Sequence, residues 1–132
     1  MYKDPYFKPE LSSIYDEYDL DVPMRESYSS VVWKRAREIF GEGCKIFGDA
    51  KPKPSDIKHG HLSNGYLLTF LSAVSARNEN FIPDLFETKQ VNAAGIYMIY
   101  FFVNGVRTPV VIDDLLPVWV TTNQPVFATA HD

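Results

Sequence analysis

The stretch from Gly95 to Asp114 constrains the fold most strongly, because it consists of two β-rich runs joined by Asn104-Gly105. An Asn-Gly pair between such runs is the strongest short hairpin signal, since both central residues of the tight turn take positive φ. Residues 96–103 are apolar at odd and even positions alike, which is typical of a strand covered on both faces. The sequence therefore predicts an antiparallel β-hairpin with both faces covered.

Composition limits the class of protein. The chain has 132 residues, 45% of them hydrophobic, which suffices for one compact core but not for two full domains. A net charge of −4 leaves no broad basic surface for nucleic acid. The single cysteine, Cys44, excludes an internal disulfide framework and fits a reducing compartment. With no secretory signal and no apolar run near the roughly 20 residues of a membrane span, we expect a cytoplasmic protein.

Two segments have helical patterns. Residues 29–41 predict a short helix capped by Ser29 or Ser30 and ended by Gly41, with an apolar face formed by Trp33, Ala36 and Phe40. The segment "GYLLTFLSAVSAR" carries no charge before Arg77 and is apolar on nearly all sides, which predicts a buried central helix. "NFIPDLFE" predicts one more helical turn, with Pro83 near its start. Together with the hairpin, these segments indicate an α+β fold.

The first thirty residues differ from the rest. Five of the eight tyrosines lie there, and the run "YDEYDLD" adds the acidic residues Asp16, Glu17, Asp19 and Asp21. Such a segment is either solvated or lies across a partner, because tyrosines are good interface anchors. We therefore divide the chain into a Tyr-rich acidic N-terminal arm, residues 1–30, and a lobe, residues 31–132.

Five motifs follow one another in an order that resembles the calpain family of papain-like cysteine proteases. They are "DPYF" at 4–7, "WKRAREI" at 33–39, "DIKHGHLSNGYLL" at 56–68, "GIYMIYFFVNG" at 95–105 and "VVIDDLLP" at 110–117. Their order and spacing hold over nearly the whole chain, and the last two are distinctive together. The resemblance implies a partial, truncated papain-like protease-core lobe.

The departures from the family pattern concern the catalytic residues. The family's nucleophilic cysteine falls on Gly65, its oxyanion-hole glutamine on His59, its preceding aspartate on Asn64 and its following tryptophan on Tyr66. The family's catalytic histidine and asparagine lie in a second lobe, absent from these residues. Loss of a nucleophile removes on the order of a million-fold in turnover. We expect no catalytic residue here, only the degenerate positions Gly65 and His59.

Neighbouring side chains are poor substitutes. Ser63 and His61 are two positions apart in a loop, so a capping role for the Ser63 hydroxyl is the better interpretation. Cys44 is remote in sequence and is expected to be semi-buried. His59 and His61 alone make a poor zinc site, which needs three or four ligands. We expect His59 to fill the volume of the lost glutamine and His61 to lie at the surface.

Calcium and the paired aspartates need separate consideration. The resemblance implies a calcium ion in each lobe, but Asp56 is the only matching side-chain ligand here, and calcium takes six to eight oxygens. We therefore predict no metal and no cofactor, and keep calcium binding around Asp56 as an open hypothesis that a calcium-dependent rise in melting temperature would support. Asp113 and Asp114 are interpreted as structural residues at the end of a strand, with residues 115–117 turning the chain back.

Three functional hypotheses remain. The first is a catalytically inactive calpain-like domain that binds other proteins within a larger complex, for which the resemblance suggests a cytoskeletal or ciliary setting. The second is a regulatory or inhibitory partner of an active calpain-type protease. The third is a fragment of a calcium-dependent cysteine endopeptidase, against which Gly65 argues directly.

Overall fold

The computed structural model describes residues 1–15, 26–48, 53–62 and 64–129. In these residues the chain has an α+β fold, with two two-stranded antiparallel sheets, three α-helices and a further helical stretch at residues 26–28. The fold class is therefore confirmed. The strands are β1 (Val31–Arg35), β2 (Ile96–Val103), β3 (Val106–Asp113) and β4 (Leu115–Trp119). The helices are α1 (Ala36–Phe40), α2 (Gly65–Arg77) and α3 (Phe81–Leu85), with short 3₁₀ turns at Leu11–Ser13 and Pro54–Asp56.

Strands β2 and β3 form the predicted hairpin. Their register runs from Ile96 opposite Asp113 to Val103 opposite Val106. Asn104 and Gly105 have φ of 51° and 79°, the positive values that a two-residue turn of this kind requires. The hairpin prediction is confirmed, and its register follows from the turn.

The prediction that both faces of the hairpin are covered is wrong for the described residues. Tyr97 and Ile99 are buried, but Phe101, Phe102 and Val103 are 47%, 63% and 52% exposed. Helix α3 lies against β2, where Phe86 forms a bridge with Ile99. Beyond that bridge, apolar residues on both faces of the hairpin lie open.

Residues 31–35 form a strand, so the prediction of one helix over residues 29–41 is wrong in its first half. Val31 and Val32 are β-branched and favour a strand once a partner is present, and β4 provides it through the pairs Val31–Trp119 to Arg35–Leu115. The hydroxyls of Ser29 and Ser30 donate back to Glu26 and Ser27 rather than capping a helix. Helix α1 does end at Gly41, which has φ of 83°.

Strand β4 also replaces an expected turn. Residues 115–117 were expected to turn the chain back, but they pair with β1. Proline is tolerated at position 117 because its nitrogen, which carries no hydrogen, faces away from β1. Its carbonyl faces the same way and accepts a hydrogen bond from the amide of Val126. The next residue, Val118, is fully buried. Beside this sheet lies a core of Tyr28, Val31 and Val126, with five partly buried residues packed around it, Leu11, Ile14, Tyr15, Trp119 and Phe127.

Helix α2 is exposed along one side, contrary to the prediction of a buried central helix. Tyr66, Leu67 and Phe70 are 81%, 43% and 57% exposed. The helix contacts the Pro54–Asp56 turn and α3, and within α2 only Ser75 is buried. Its sequence is apolar on all sides, but the described chain covers only part of it. No helix in the described ranges is long and apolar enough to cross a membrane.

Candidate functional site

The segment that precedes α2 is held against the other end of the described chain. Lys58 and Thr129 exchange two backbone hydrogen bonds, of 2.9 and 3.1 Å, and the amide of His61 donates to Val126 at 3.0 Å. Between them, Gly60 lies so close to Phe127 that an added Cβ would be 2.3 Å from its carbonyl carbon and oxygen. Only glycine permits this approach, so Gly60 fixes the position of both neighbouring histidines.

His59 faces the start of helix α2. The helix begins at Gly65, as the sequence predicted. A Cβ built on Gly65 would lie 3.4 Å from Nε2 and 3.6 Å from Cδ2 of His59, in ordinary van der Waals contact. Apart from the chain neighbours and the helix's own backbone, no other described residue has an atom within 4 Å of that Cβ position. The structure thus brings together the two positions that the sequence identified as degenerate.

Within the described residues, this arrangement contains an imidazole and no nucleophile. A cysteine protease needs a thiolate at a helix N-terminus, paired with a histidine. Gly65 supplies the helix start, and His59 supplies a ring beside it that is exposed to solvent. Ser63, which was considered as a substitute, lies outside the described residues. Among those described, no hydroxyl or thiol lies within 4 Å of the Gly65 Cβ position.

Asn64 holds an unusual position beside the site. It is the N-cap of α2, yet its side chain makes no capping hydrogen bond, and its buried Oδ1 has no hydrogen-bond partner among the described residues. An unpartnered buried oxygen costs about 1–3 kcal/mol. The start of α2 is therefore less well satisfied than a helix opened by a capping side chain.

The second histidine, His61, lies in a different environment. The ring of His61 packs edge-on against Trp119, with centroids 5.4 Å apart and planes at 90°. Its side chain is exposed, as predicted, and its carbonyl accepts a hydrogen bond from Tyr28 Oη. In the described ranges, no group of three or more His, Cys, Asp or Glu is placed to hold a metal ion.

Asp56 and Cys44 serve local structure. Asp56 Oδ2 accepts a hydrogen bond of 2.7 Å from the amide of Lys53, which closes the turn before the site. Cys44 lies in the turn after α1, where its amide donates to Gly41, and its side chain is half-buried, as predicted. Neither side chain is among the atoms near Gly65.

The paired aspartates organise the end of the hairpin. Asp113 accepts hydrogen bonds from the amides of Asp4 and Leu115, and Asp114 forms a salt bridge with Arg35. Arg35 also donates to the carbonyl of Tyr2. The structural interpretation of the two aspartates is confirmed, while the role of Arg35 was missed because the residue was assigned to a helix. The β-branched pair Val31-Val32 was the available signal for a strand there. The division into arm and lobe stays a prediction.

Comparisons with known proteins place these features in a family. Residues 2–132 match the calpain family of cysteine proteases. The chain is 32% identical to the calpain-type cysteine protease DEK1 of Arabidopsis thaliana over an alignment of 138 residues. That alignment covers 99% of this chain and 6% of DEK1. It is 32% identical to mouse calpain-8 over 89% of the chain and 36% identical to calpain-5 of Caenorhabditis elegans over 86%. It spans 16% and 17% of those two relatives. The chain therefore belongs to the calpain family of cysteine proteases.

Proposed function

We propose that this calpain-family chain is a catalytically inactive domain that acts as a protein-interaction module. One relationship carries the proposal: the resemblance to the family places its nucleophile at Gly65, and the side chain beside Gly65 is the imidazole of His59. Without a nucleophile at that position, no acyl-enzyme can form there. The proposed role is binding rather than cleavage.

The exposed side of α2 supports a protein partner. We define the α2 face as Tyr66, Leu67 and Phe70, which are 81%, 43% and 57% exposed. Exposed aromatic and aliphatic groups that lie together usually mark an interface, and tyrosine is enriched among the residues that dominate binding energy. The partner we propose is another protein within a larger complex. The family suggests a cytoplasmic setting, and the cytoskeleton or the cilium is the setting we propose.

Proteolysis assays test the absence of catalysis. We expect no cleavage of casein by the full-length protein with millimolar calcium, and no labelling at residue 65 by a thiol-directed epoxide. The control is an active calpain in the same buffer. Calcium-dependent cleavage that a chelator abolishes would overturn the proposal and favour a calcium-dependent endopeptidase.

Substitutions on the α2 face test the interaction role. The double variant Y66S/F70S changes two exposed side chains, so its free energy of unfolding should stay within about 1 kcal/mol of the unsubstituted protein. We expect it to lose at least about tenfold in affinity for the partner recovered by crosslinking. Val120→Ser is the control, because Val120 is 57% exposed and belongs neither to the α2 face nor to the Tyr-rich N-terminal arm. Equal loss of the partner in both variants would contradict a role for the α2 face.

A second candidate function is regulation of an active calpain. The observation that favours it is that, among the described residues outside the helix backbone and the chain neighbours, only His59 lies within 4 Å of a Cβ added at Gly65. A substrate-like segment would then have room to lie across the start of α2. If the recovered partner is an active protease whose activity falls on binding, the regulatory role replaces the architectural one. A partner without protease activity supports the first proposal.

A further inference from the structure

Three aromatic rings, one of them His61, and a serine line a small pocket. Its walls are Ser27, Tyr28, His61 and Trp119, and its volume is about 180 Å³. The planes of His61 and Trp119 are perpendicular, with centroids 5.4 Å apart. Tyr28 and Trp119 are nearly parallel, at 6°, with centroids 6.2 Å apart. Parallel rings at that separation are offset, so Tyr28 covers only part of the Trp119 face.

The pocket walls are held before any ligand arrives. Tyr28 is 6% exposed, stacks on Tyr15 at 5.7 Å and donates its hydroxyl to the carbonyl of His61. Two hydrogen bonds fix the backbone of Trp119: its amide donates to the carbonyl of Gln124, and its carbonyl accepts from the amide of Asn123. Binding of a ligand therefore costs little conformational entropy at these residues.

We propose that this pocket binds a compact organic cation of the trimethylammonium type. Aromatic faces carry negative electrostatic potential and attract cations within about 6 Å, and tryptophan does so most strongly. None of the described side chains that line the pocket is a lysine, arginine, aspartate or glutamate. An anion would therefore find no lysine or arginine among the described lining residues, and the volume admits a small head group rather than a nucleotide or a sugar chain.

Fluorescence of Trp119 provides a direct test. The chain has two tryptophans, so Trp33→Phe leaves Trp119 as the only reporter. We expect choline to cause a saturable change in its emission, and the neutral carbon isostere 3,3-dimethylbutan-1-ol to bind about 2- to 30-fold more weakly. Sodium chloride at the same ionic strength should cause no saturable change. Equal affinity for the cation and the isostere, or no saturation with choline, would overturn the proposal.

Two substitutions locate the binding site. His61→Leu should weaken choline binding about threefold or more while leaving the fold intact, since the His61 side chain is exposed. His59→Leu is the matched control, because His59 is also exposed but does not line the pocket, and it should bind choline unchanged. Equal effects of both substitutions would also overturn the assignment.

A further titration distinguishes two sources of the same chemistry. A peptide that carries trimethyl-lysine is compared with the same peptide carrying unmodified lysine, and with choline. Tighter binding of the trimethylated peptide than of choline identifies a modified protein as the source. Equal affinity identifies a free small cation, and failure of all three probes to bind overturns the proposal.

Discussion

Arg35 Nη1 and Asp114 Oδ1 lie 2.5 Å apart in a salt bridge in which only about 10% of each side chain is exposed. Arg35 also donates to the carbonyl of Tyr2 at 2.6 Å, and the amide of Ala36 donates to the carbonyl of Asp114 at 3.1 Å. These contacts join β1, the end of the hairpin and the first residues of the chain at one point. The first prediction concerns this ion pair.

Arg35→Met should lower the free energy of unfolding by about 3–5 kcal/mol, because it leaves the Asp114 carboxylate buried without its partner. The double variant R35M/D114L should recover at least half of that loss, since it removes both charges together. Urea denaturation of the three proteins measures the effect. If R35M unfolds at the same urea concentration as the unsubstituted protein, the pair contributes nothing to stability.

Gly95→Ala should destabilise the chain by about 2–4 kcal/mol. Gly95 has φ of 64°, and an added Cβ would lie 2.7 Å from Asp114 Oδ1 and 3.0 Å from Arg35 Nη1. The substitution therefore adds backbone strain and displaces the salt bridge. Gly43→Ala is the matched control, because no described residue other than its chain neighbours has an atom within 4 Å of its Cβ position. Its effect should stay below about 1 kcal/mol. Thermal unfolding of the pair checks the difference.

Gly60→Ala should separate residues 58–61 from residues 126–129. Its Cβ would lie 2.3 Å from backbone atoms of Phe127, a contact that only a backbone shift can relieve. We expect a loss of about 3 kcal/mol or more, together with faster hydrogen exchange at the amides of Lys58 and His61. Unchanged exchange at these two amides would contradict the role of Gly60 in positioning the histidines.

Gly65→Cys should create a reactive thiol without creating a protease. The start of α2 and the imidazole of His59 both favour the thiolate, so we expect alkylation by iodoacetamide at neutral pH to be at least several-fold faster than at Cys44. Adding His59→Ala to G65C should slow the reaction. Casein should remain uncleaved in both variants. Equal alkylation rates with and without His59 would show that the ring does not act on this position.

Local chemistry explains what could be predicted from the sequence. The hairpin followed from Asn104-Gly105, and the limits of α2 followed from Gly65 and the end of the apolar run at Arg77. Strand β1 was missed because its partner, β4, lies at the other end of the described chain, and no local signal reports such a pairing. The prediction that α2 and the hairpin tip are buried was also wrong, because burial depends on what covers a surface and not on its composition alone.

Only part of the site could be predicted. The Gly65–His59 pair was found through the family resemblance, and no spacing rule would have shown that the two positions are in contact. The packing of His61 on Trp119 had no signal in the sequence, because the two residues are distant in sequence and meet where the segment of His61 lies against Val126. Gly60 was overlooked for the same reason, since its close neighbour Phe127 is distant in sequence.

The hydrogen bond from Asp4 to Asp113 joins positions 109 residues apart, and this separation determines the order in which the chain can assemble. Closing a loop of that length costs conformational entropy that nearby contacts do not. Helix α2 is local and can form early on the ribosome, whereas β1 must wait for β4, which is synthesised directly after the hairpin. Throughout that interval the apolar side of α2 is available to chaperones, and to other unfinished chains.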